Sequence, residues 1–389
     1  MLLGIDASSI RSGGALSHLA GVLWHVLPQS HGFSKIVVWC NPVAAGYLEA
    51  LKLDAITIIP QKSLDGSLWQ LAKWQLFVLP RLIAGIKPDI LWSPGGILFG
   101  RVSVPTVMMS QNLLPFEPSE MARYGLSLIW FKFLLLRYIQ LNAFKKAKGI
   151  IFLSKHARDQ VVRYIPEIAD KTVVIPHGID REYYCPPRKP AWPCDRPVRL
   201  LYVSSLHMYK HQWQVVAAVE ALVKQNYHVE LDLAGPAYPP ALRKLNRTLD
   251  ALPRVRAHVH YHGSVPHVKL AALYHQADIF VFASTCETIS FIVLEAMAAG
   301  LPIACSNRQP MPEVLGDAGV YFDPEKPEEI AAAIRALIDQ PERAFQLAQK
   351  AHERAQAYSW ERCANDTFAF MSLAAHRDAE DFQGCSRGR

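Results

Sequence analysis

The sequence lacks several features that would each point to a different kind of protein. None of its seven cysteines forms a C-x-x-C pair. An odd, scattered set argues against both a disulfide framework and a structural zinc site, and leaves reduced cytoplasmic thiols as the expectation. Charged residues make up only 19% and hydrophobic residues 51% of the 389-residue chain, which excludes a mostly disordered protein. No run of lysine and arginine is long enough for a nucleic-acid arm. The opening "MLLGIDASSIRSGG" has no basic stretch followed by a long apolar one and is read as no signal peptide. The most apolar later segment, residues 124–144, is interrupted by Lys132 and Arg137, so no clean span of about 20 apolar residues exists. There is no D-x-D between short apolar runs, so a metal-chelated diphosphate is not indicated. No repeat of solenoid length is visible.

What the chain does have is alternation. Short runs rich in Val, Ile and Leu, such as "SKIVVWC", "AITIIP", "VRLLYVSS" and "DIFVFAS", recur between helical patterns from end to end. Continuous apolar runs suit parallel strands buried on both faces, and the helices between them imply repeated βαβ units. "YYCPPRKPAWPCDRP", residues 183–197, holds five prolines and reads as a linker. The expectation is an α/β protein of two Rossmann-like domains facing a central cleft. An N-terminal domain would span residues 1–182 and a C-terminal domain residues 198–358. A final helix over 359–389 would cross back to the first domain and end in a frayed tail. The net charge of +7 and a pI near 9.0 favour anionic partners such as phosphates, nucleotides or an acidic membrane surface.

Ligands of such sheets gather beyond the carboxyl ends of strands, so the residues after strands carry the interest. In "ASTCETISFIVLEAMAAGLP", residues 283–302, a strand end leads through a turn into a helix starting near Ile289 or Ser290. Its free N–H groups would favour an anion such as a diphosphate. Glu287 sits at the mouth, and Glu295 lies eight residues on, roughly 2.2 turns along the helix. A carboxylate accepts hydrogen bonds from vicinal hydroxyls, so two carboxylates flanking a phosphate site fit a nucleotide-sugar. Alternatively, Glu287 caps the helix and Glu295 is solvated or salt-bridged. The apolar neighbours of Glu295 weigh against that, because a buried carboxylate needs a partner.

Lys210, at a helix start after "VRLLYVSS", suits a phosphate as a compact point charge; as a plain surface lysine it would oppose the helix dipole. Gly13 and Gly14 form a flexible βα turn, not a G-x-G-x-x-G fingerprint, or else an ordinary turn. His177 in "VIPHGID" and His156 in "FLSKHARD" are either catalytic or structural. Gln111 and Asn112 follow a strand in a loop suited to an acceptor. His258, His260 and His262 alternate as they would on one face of a strand, but with no carboxylate beside them in sequence a metal is not assigned.

Taken in order, "RSGG", "IPHGID", "SSLHMYK", "STCETISFIVLEAMAAGLPI" and "YSWERCA" resemble the retaining glycosyltransferases of family 4, with their GT-B fold and E-x7-E segment. The resemblance covers essentially the whole chain and is strongest over residues 170–325. It implies transfer of a sugar from a nucleoside-diphosphate donor with retention of configuration, without a metal and with no cofactor besides the nucleoside-diphosphate-sugar as donor substrate. Glu295 would hold the donor ribose and Glu287 the donor sugar. The backbone of Thr288, Ile289 and Ser290 would lie near the phosphates, and Lys210 would neutralise them. Gly13 and Gly14 would lie near phosphate and acceptor, Ser205 on the donor side, and Gln111, Asn112 and His156 on the acceptor side. With Glu287 and Lys210, His177 completes the implied catalytic set. Three positions depart from the family pattern. Ser204-Ser205-Leu206 replaces Gly-Arg-Leu, so a cation is missing unless Arg308 compensates; Thr288 stands where a glycine often follows the first glutamate; and Ser110-Gln111-Asn112 lacks a histidine.

The stretch from Glu120 to Lys148 mixes aromatics and leucines with Arg123, Lys132, Arg137, Lys145, Lys146 and Lys148. It reads as a helix lying on an anionic membrane, or as a first-domain helix with a wide buried face. The expectation is a cytoplasmic enzyme, peripheral on the inner face of the membrane, that moves mannose, rhamnose or another hexose onto a lipid-linked or glycan acceptor of surface polysaccharide or lipopolysaccharide. A nucleotide-sugar epimerase of the same fold and a non-catalytic nucleotide-sugar-binding subunit are the alternatives.

Overall fold

The structure is a computed structural model and describes residues 1–376 apart from 12, 53–54, 65–66, 191 and 193–195. The end of the chain read as frayed, and part of the proline-rich stretch, lie outside the described residues. Two parallel sheets organise the rest. The first holds Leu2–Ala7 (β1), Lys35–Cys40 (β2), Ile56–Pro60 (β3), Ile90–Ser93 (β4), Thr106–Ser110 (β5), Gly149–Phe152 (β6) and Thr172–Val174 (β7), in the order β3-β2-β1-β4-β5-β6-β7. The second holds Val198–Val203 (β8), Val229–Ala234 (β9), Val259–Tyr261 (β10), Ile279–Phe282 (β11), Ile303–Ser306 (β12) and Val320–Phe322 (β13), in the order β10-β9-β8-β11-β12-β13. Every apolar run read as a strand falls on one of these. The reason is visible in β2, where Ile36, Val37, Val38 and Trp39 are all buried although they point alternately to opposite faces.

The chain divides into two compact units. One contains Met1–Met121, Leu126–Gly178 and the chain from Ser359; the other contains Ala122–Gly125 and Ile179–Tyr358. The boundary therefore falls after Gly178, ahead of the expected linker. Residues 185–190 have no regular structure, but they do not hang free: Tyr183 is fully buried, and the Cys185 N–H donates to Ala298 O at 3.0 Å. Trp360–His376 is a helix of the first unit. It fits there against glycine: a Cβ at Gly21 would lie 2.7 Å from the Trp360 ring, and one at Gly149 equally close to Phe370.

The single helix expected from Glu120 to Lys148 is in fact two, Pro118–Ala122 and Leu128–Lys146. Gly125 adopts a left-handed φ of 60°, and the Ser127 hydroxyl accepts from Trp130 N–H to cap the second helix. No helix among the described residues is long and apolar enough to cross a membrane.

Candidate active site

In the second sheet the strand order reverses between β8 and β11, which lie side by side. At such a switch point the loops beyond the two strands diverge and leave a crevice at their carboxyl ends. The loop after β8 leads into the helix Gln212–Lys224, and the loop after β11 into the helix Phe291–Ala298. Hydrogen bonds fasten the two loops together. Thr285 donates to Tyr209 O from both its N–H (2.9 Å) and its hydroxyl (3.2 Å), and the Tyr202 hydroxyl donates to Lys210 O at 2.5 Å. His211 takes a left-handed φ of 51° at the N-cap, and its Nε2 lies 3.2 Å from the Thr285 hydroxyl.

This fastening brings Lys210 and Glu287 together, 77 residues apart in the chain, as a hydrogen-bonded ion pair. Lys210 is 5% exposed, with its ammonium over the rings of Tyr209 (5.3 Å) and Phe282 (5.1 Å). A buried ammonium requires such company. It has three protons to give, so contact with Glu287 leaves donors for a phosphate.

Glu295 is buried one helix further in. The Tyr274 hydroxyl donates to its Oε2 at 2.7 Å, Tyr183 supplies a second phenol, and the two rings meet edge to face at 5.5 Å. Burial, opposed by the Tyr274 hydrogen bond and supported by the charges of Asp180 and Glu182, raises its pKa to about 7. Thr288, Ile289 and Ser290 are buried beside it. Ser290 is the N-cap of the helix, yet its side chain does not cap, and its hydroxyl is buried with no hydrogen-bond partner among the described residues. An uncapped helix start with an orphaned hydroxyl is a ready acceptor of an anionic ligand. Ser205 lies on the β8 loop, where its carbonyl accepts from the Ser204 hydroxyl and from Gln212 Nε2.

The first unit presents different chemistry at its own switch point, between β1 and β4. Asp6, at the end of β1, is wholly buried; its carboxylate accepts from Ser8 N–H (3.1 Å), the Ser8 hydroxyl (2.5 Å) and Gln75 Nε2 (2.7 Å). Burial raises its pKa to about 6. Gln75 stands on a π-helical turn, Trp74–Val78. Gly13 is exposed, with a φ of 68° that favours glycine, and Gly14 begins the helix Gly14–His25. Gln111 Nε2 donates to Pro94 O at 3.0 Å, Asn112 Oδ1 accepts from Leu114 N–H at 3.1 Å, and His156 Nε2 lies 3.5 Å from Glu117.

The comparisons with known proteins bear on both units. A model of "Glycosyltransferase Family 4" matches residues 36–183, and one of "Glycosyl transferases group 1" matches residues 189–354. The chain belongs to the family 4 glycosyltransferases. It is 30% identical over 239 residues to glycogen synthase of Mycobacterium tuberculosis, a match covering 60% of this chain and 56% of that one. It is 29% identical over 244 residues to O-antigen chain mannosyltransferase B of Escherichia coli, covering 58% of this chain and 61% of that one. The matched regions thus span little more than half of these curated relatives. In fold, this family 4 chain resembles Anabaena HepE in complex with UDP and glucose, with a TM-score of 0.73 and 18% identity over 95% of this chain and 98% of that one. It also resembles WaaG, a glycosyltransferase involved in lipopolysaccharide biosynthesis, with a TM-score of 0.68 and 14% identity over 95% and 99% of the two chains. The two-sheet GT-B fold agrees with the family.

Several site expectations change in this family 4 structure. The helix after Glu287 begins at Phe291, and Glu287 does not cap it but pairs with Lys210. His177 is 3% exposed in the first unit, with Nδ1 2.7 Å from His18 Nδ1 and Trp360 alongside, and burial holds it neutral. Arg308 does not join Lys210; it faces Asp323 at 3.3 Å. The three alternating histidines do have carboxylates near them: His262 meets Asp232 at 2.6 Å and His260 meets Glu230 at 3.6 Å, while His258 turns to Val229 O. Each is thus engaged separately, not as one cluster. Sequence reading missed Tyr183 and Tyr274, which hold Glu295, and the Asp6–Gln75 pair. The only available signal for Asp6 was an acid at the end of a buried strand.

Proposed function

We propose that this chain is a retaining, metal-independent hexosyltransferase. It takes a sugar, mannose foremost and rhamnose next, from a nucleoside-diphosphate donor and passes it to a lipid-linked or glycan acceptor in surface polysaccharide or lipopolysaccharide synthesis. The observation that carries the reading is the Lys210–Glu287 ion pair at the β8/β11 switch point, beside the uncapped start of the helix that bears Glu295. Lys210 and the helix N–H groups supply positive charge where a departing diphosphate accumulates negative charge. Glu287, oriented by Lys210, presents its carboxylate to the hydroxyls of the transferred sugar. Glu295, as a carboxylate, accepts from the ribose diol. Mannose is supported by the relatives named O-antigen chain mannosyltransferase B and serotype-specific mannosyltransferase WbdA. Gly13, Gly14, Gln111, Asn112 and His156 are assigned to the acceptor and phosphate side, and Ser205 to the donor side.

Peripheral attachment to an anionic membrane belongs to the same reading. On the helix Leu128–Lys146, the exposed Leu128, Phe131, Leu135 and Tyr138 recur at helical spacing on one face, with Lys132 and Lys145 beside them. Thermal shift with GDP-, UDP-, dTDP- and ADP-sugars tests donor binding: one base should raise the melting point, and no shift with any of them would count against the reading. With that donor, Glu295→Ala should abolish transfer in a protein that stays folded; undiminished turnover would overturn the assignment.

A further inference from the structure

The first unit has a cavity at the opposite end of its sheet from the site residues considered so far. It has a volume of about 440 Å³ and is lined by the chain entering β5 and by the end of the helix Leu128–Lys146 that leads into β6. Gln111 and Asn112 follow β5, whereas this cavity precedes it; the five residues of β5 separate the two ends by about 16 Å. Three cations line it, Arg101, Lys146 and Lys148, and no carboxylate does. Among the described residues none of the three has an ion-pair partner within 4.0 Å. Val102, Val104 and Ala143 complete an apolar part of the wall.

Like charges do not gather at low cost without a counter-charge. The nearby groups that could relieve them are already engaged. The negative end of the helix is met by Lys171, whose ammonium donates to Lys145 O and Ala147 O at 2.7 Å each. Glu167 is bound by Lys145 at 2.9 Å. Burial lowers the pKa of Lys171, Glu167 opposes that shift, and Lys148 adds to it.

We infer that this cavity binds a phosphate group carried on a small carbon skeleton. The cations would take the phosphate, and the apolar wall the carbons. The site is independent of the donor-sugar reading. Two sources share this chemistry, a soluble phosphate ester and the headgroup of a phospholipid.

Calorimetry on the full chain with inorganic phosphate, glycerol 3-phosphate and dihexanoyl phosphatidic acid separates them. The parent should bind the esters more tightly than inorganic phosphate. Arg101→Glu with Lys148→Glu should weaken them by at least about tenfold, since charge-assisted contacts to phosphate are lost. Arg101→Gln with Lys148→Gln should show a smaller loss and carries the test should the reversed pair fail to fold. A clear preference for the phosphatidic acid identifies a headgroup site; equal binding of both esters identifies a soluble ligand. If the parent binds no phosphate ester, or the charge variants bind as the parent does, the inference falls. Neither measurement uses a nucleotide-sugar, so failure of the donor reading would leave this result standing.

Discussion

The two units build the same kind of parallel sheet with the same reversal of strand order, yet they furnish the switch point differently. In the second unit it carries an ion pair, Lys210–Glu287, beside an uncapped helix start. In the first it carries an acid, Asp6, closed in by Ser8 and Gln75, with no cation in its hydrogen-bond shell. Frame and chemistry are thus separable. Strand order decides where a ligand can sit, and the residue types after the strands decide the charge it meets there.

The largest test of this contrast is Lys210→Ala. Loss of a cation aimed at the leaving diphosphate should cost about 3–4 kcal/mol of transition-state stabilisation, on the order of 10²–10³ in kcat. Steady-state kinetics checks it, and a change below a few-fold would mean that charge at this switch point is not catalytic. Next in size is Glu287→Gln, which leaves the buried ammonium without its counter-charge. It should destabilise the chain by about 3 kcal/mol in denaturant melts, and replacing both partners by apolar residues should recover most of that.

The third effect is on pH. The pKa of Glu295 is raised to about 7, so the folded state holds this proton more tightly than the unfolded chain does. Its contribution to stability is complete below pH 4.5 and is lost as pH rises through 7, in all about 3 kcal/mol. Binding of a ribose diol runs the other way, because it needs the carboxylate. Donor affinity should therefore climb between pH 6 and 8, and Glu295→Gln should flatten both profiles. The smallest effect expected on donor affinity is that of Asp6→Asn, which should leave it within about two-fold while altering acceptor KM. Loss of donor binding in this variant would break the comparison between the two units.

Much of this was legible in the residues. Runs such as "KIVVWC" have few ways to be buried other than as central parallel strands, and each lies on a strand. Lys210 and Glu287 could be placed because the residues after strands of a Rossmann sheet face its ligand edge. Their direct contact could not, because it depends on β8 and β11 being neighbours, a matter of topology rather than of local pattern. Glu295 was expected to be buried from its apolar flanks, but the tyrosines that hold it come from positions 183 and 274, and no spacing rule connects them. The proline-rich stretch was read as a linker because proline forbids regular structure. Proline does not forbid packing, which is why the unit boundary lies earlier, at Gly178.

The Ile179 N–H donates to Tyr358 O at 3.1 Å, so the chain leaves the first unit and returns to it beside a single hydrogen bond. This has a consequence for biosynthesis. The glycine faces at positions 21 and 149 wait for Trp360 and Phe370, which are translated roughly 180 residues after Gly178, at 5–20 residues per second a delay of about 10–40 s. Throughout that interval the second unit, which ends at Tyr358, is itself still being made, and the first exposes the bed of its missing helix. The nascent first unit is therefore the part of the chain most in need of a chaperone.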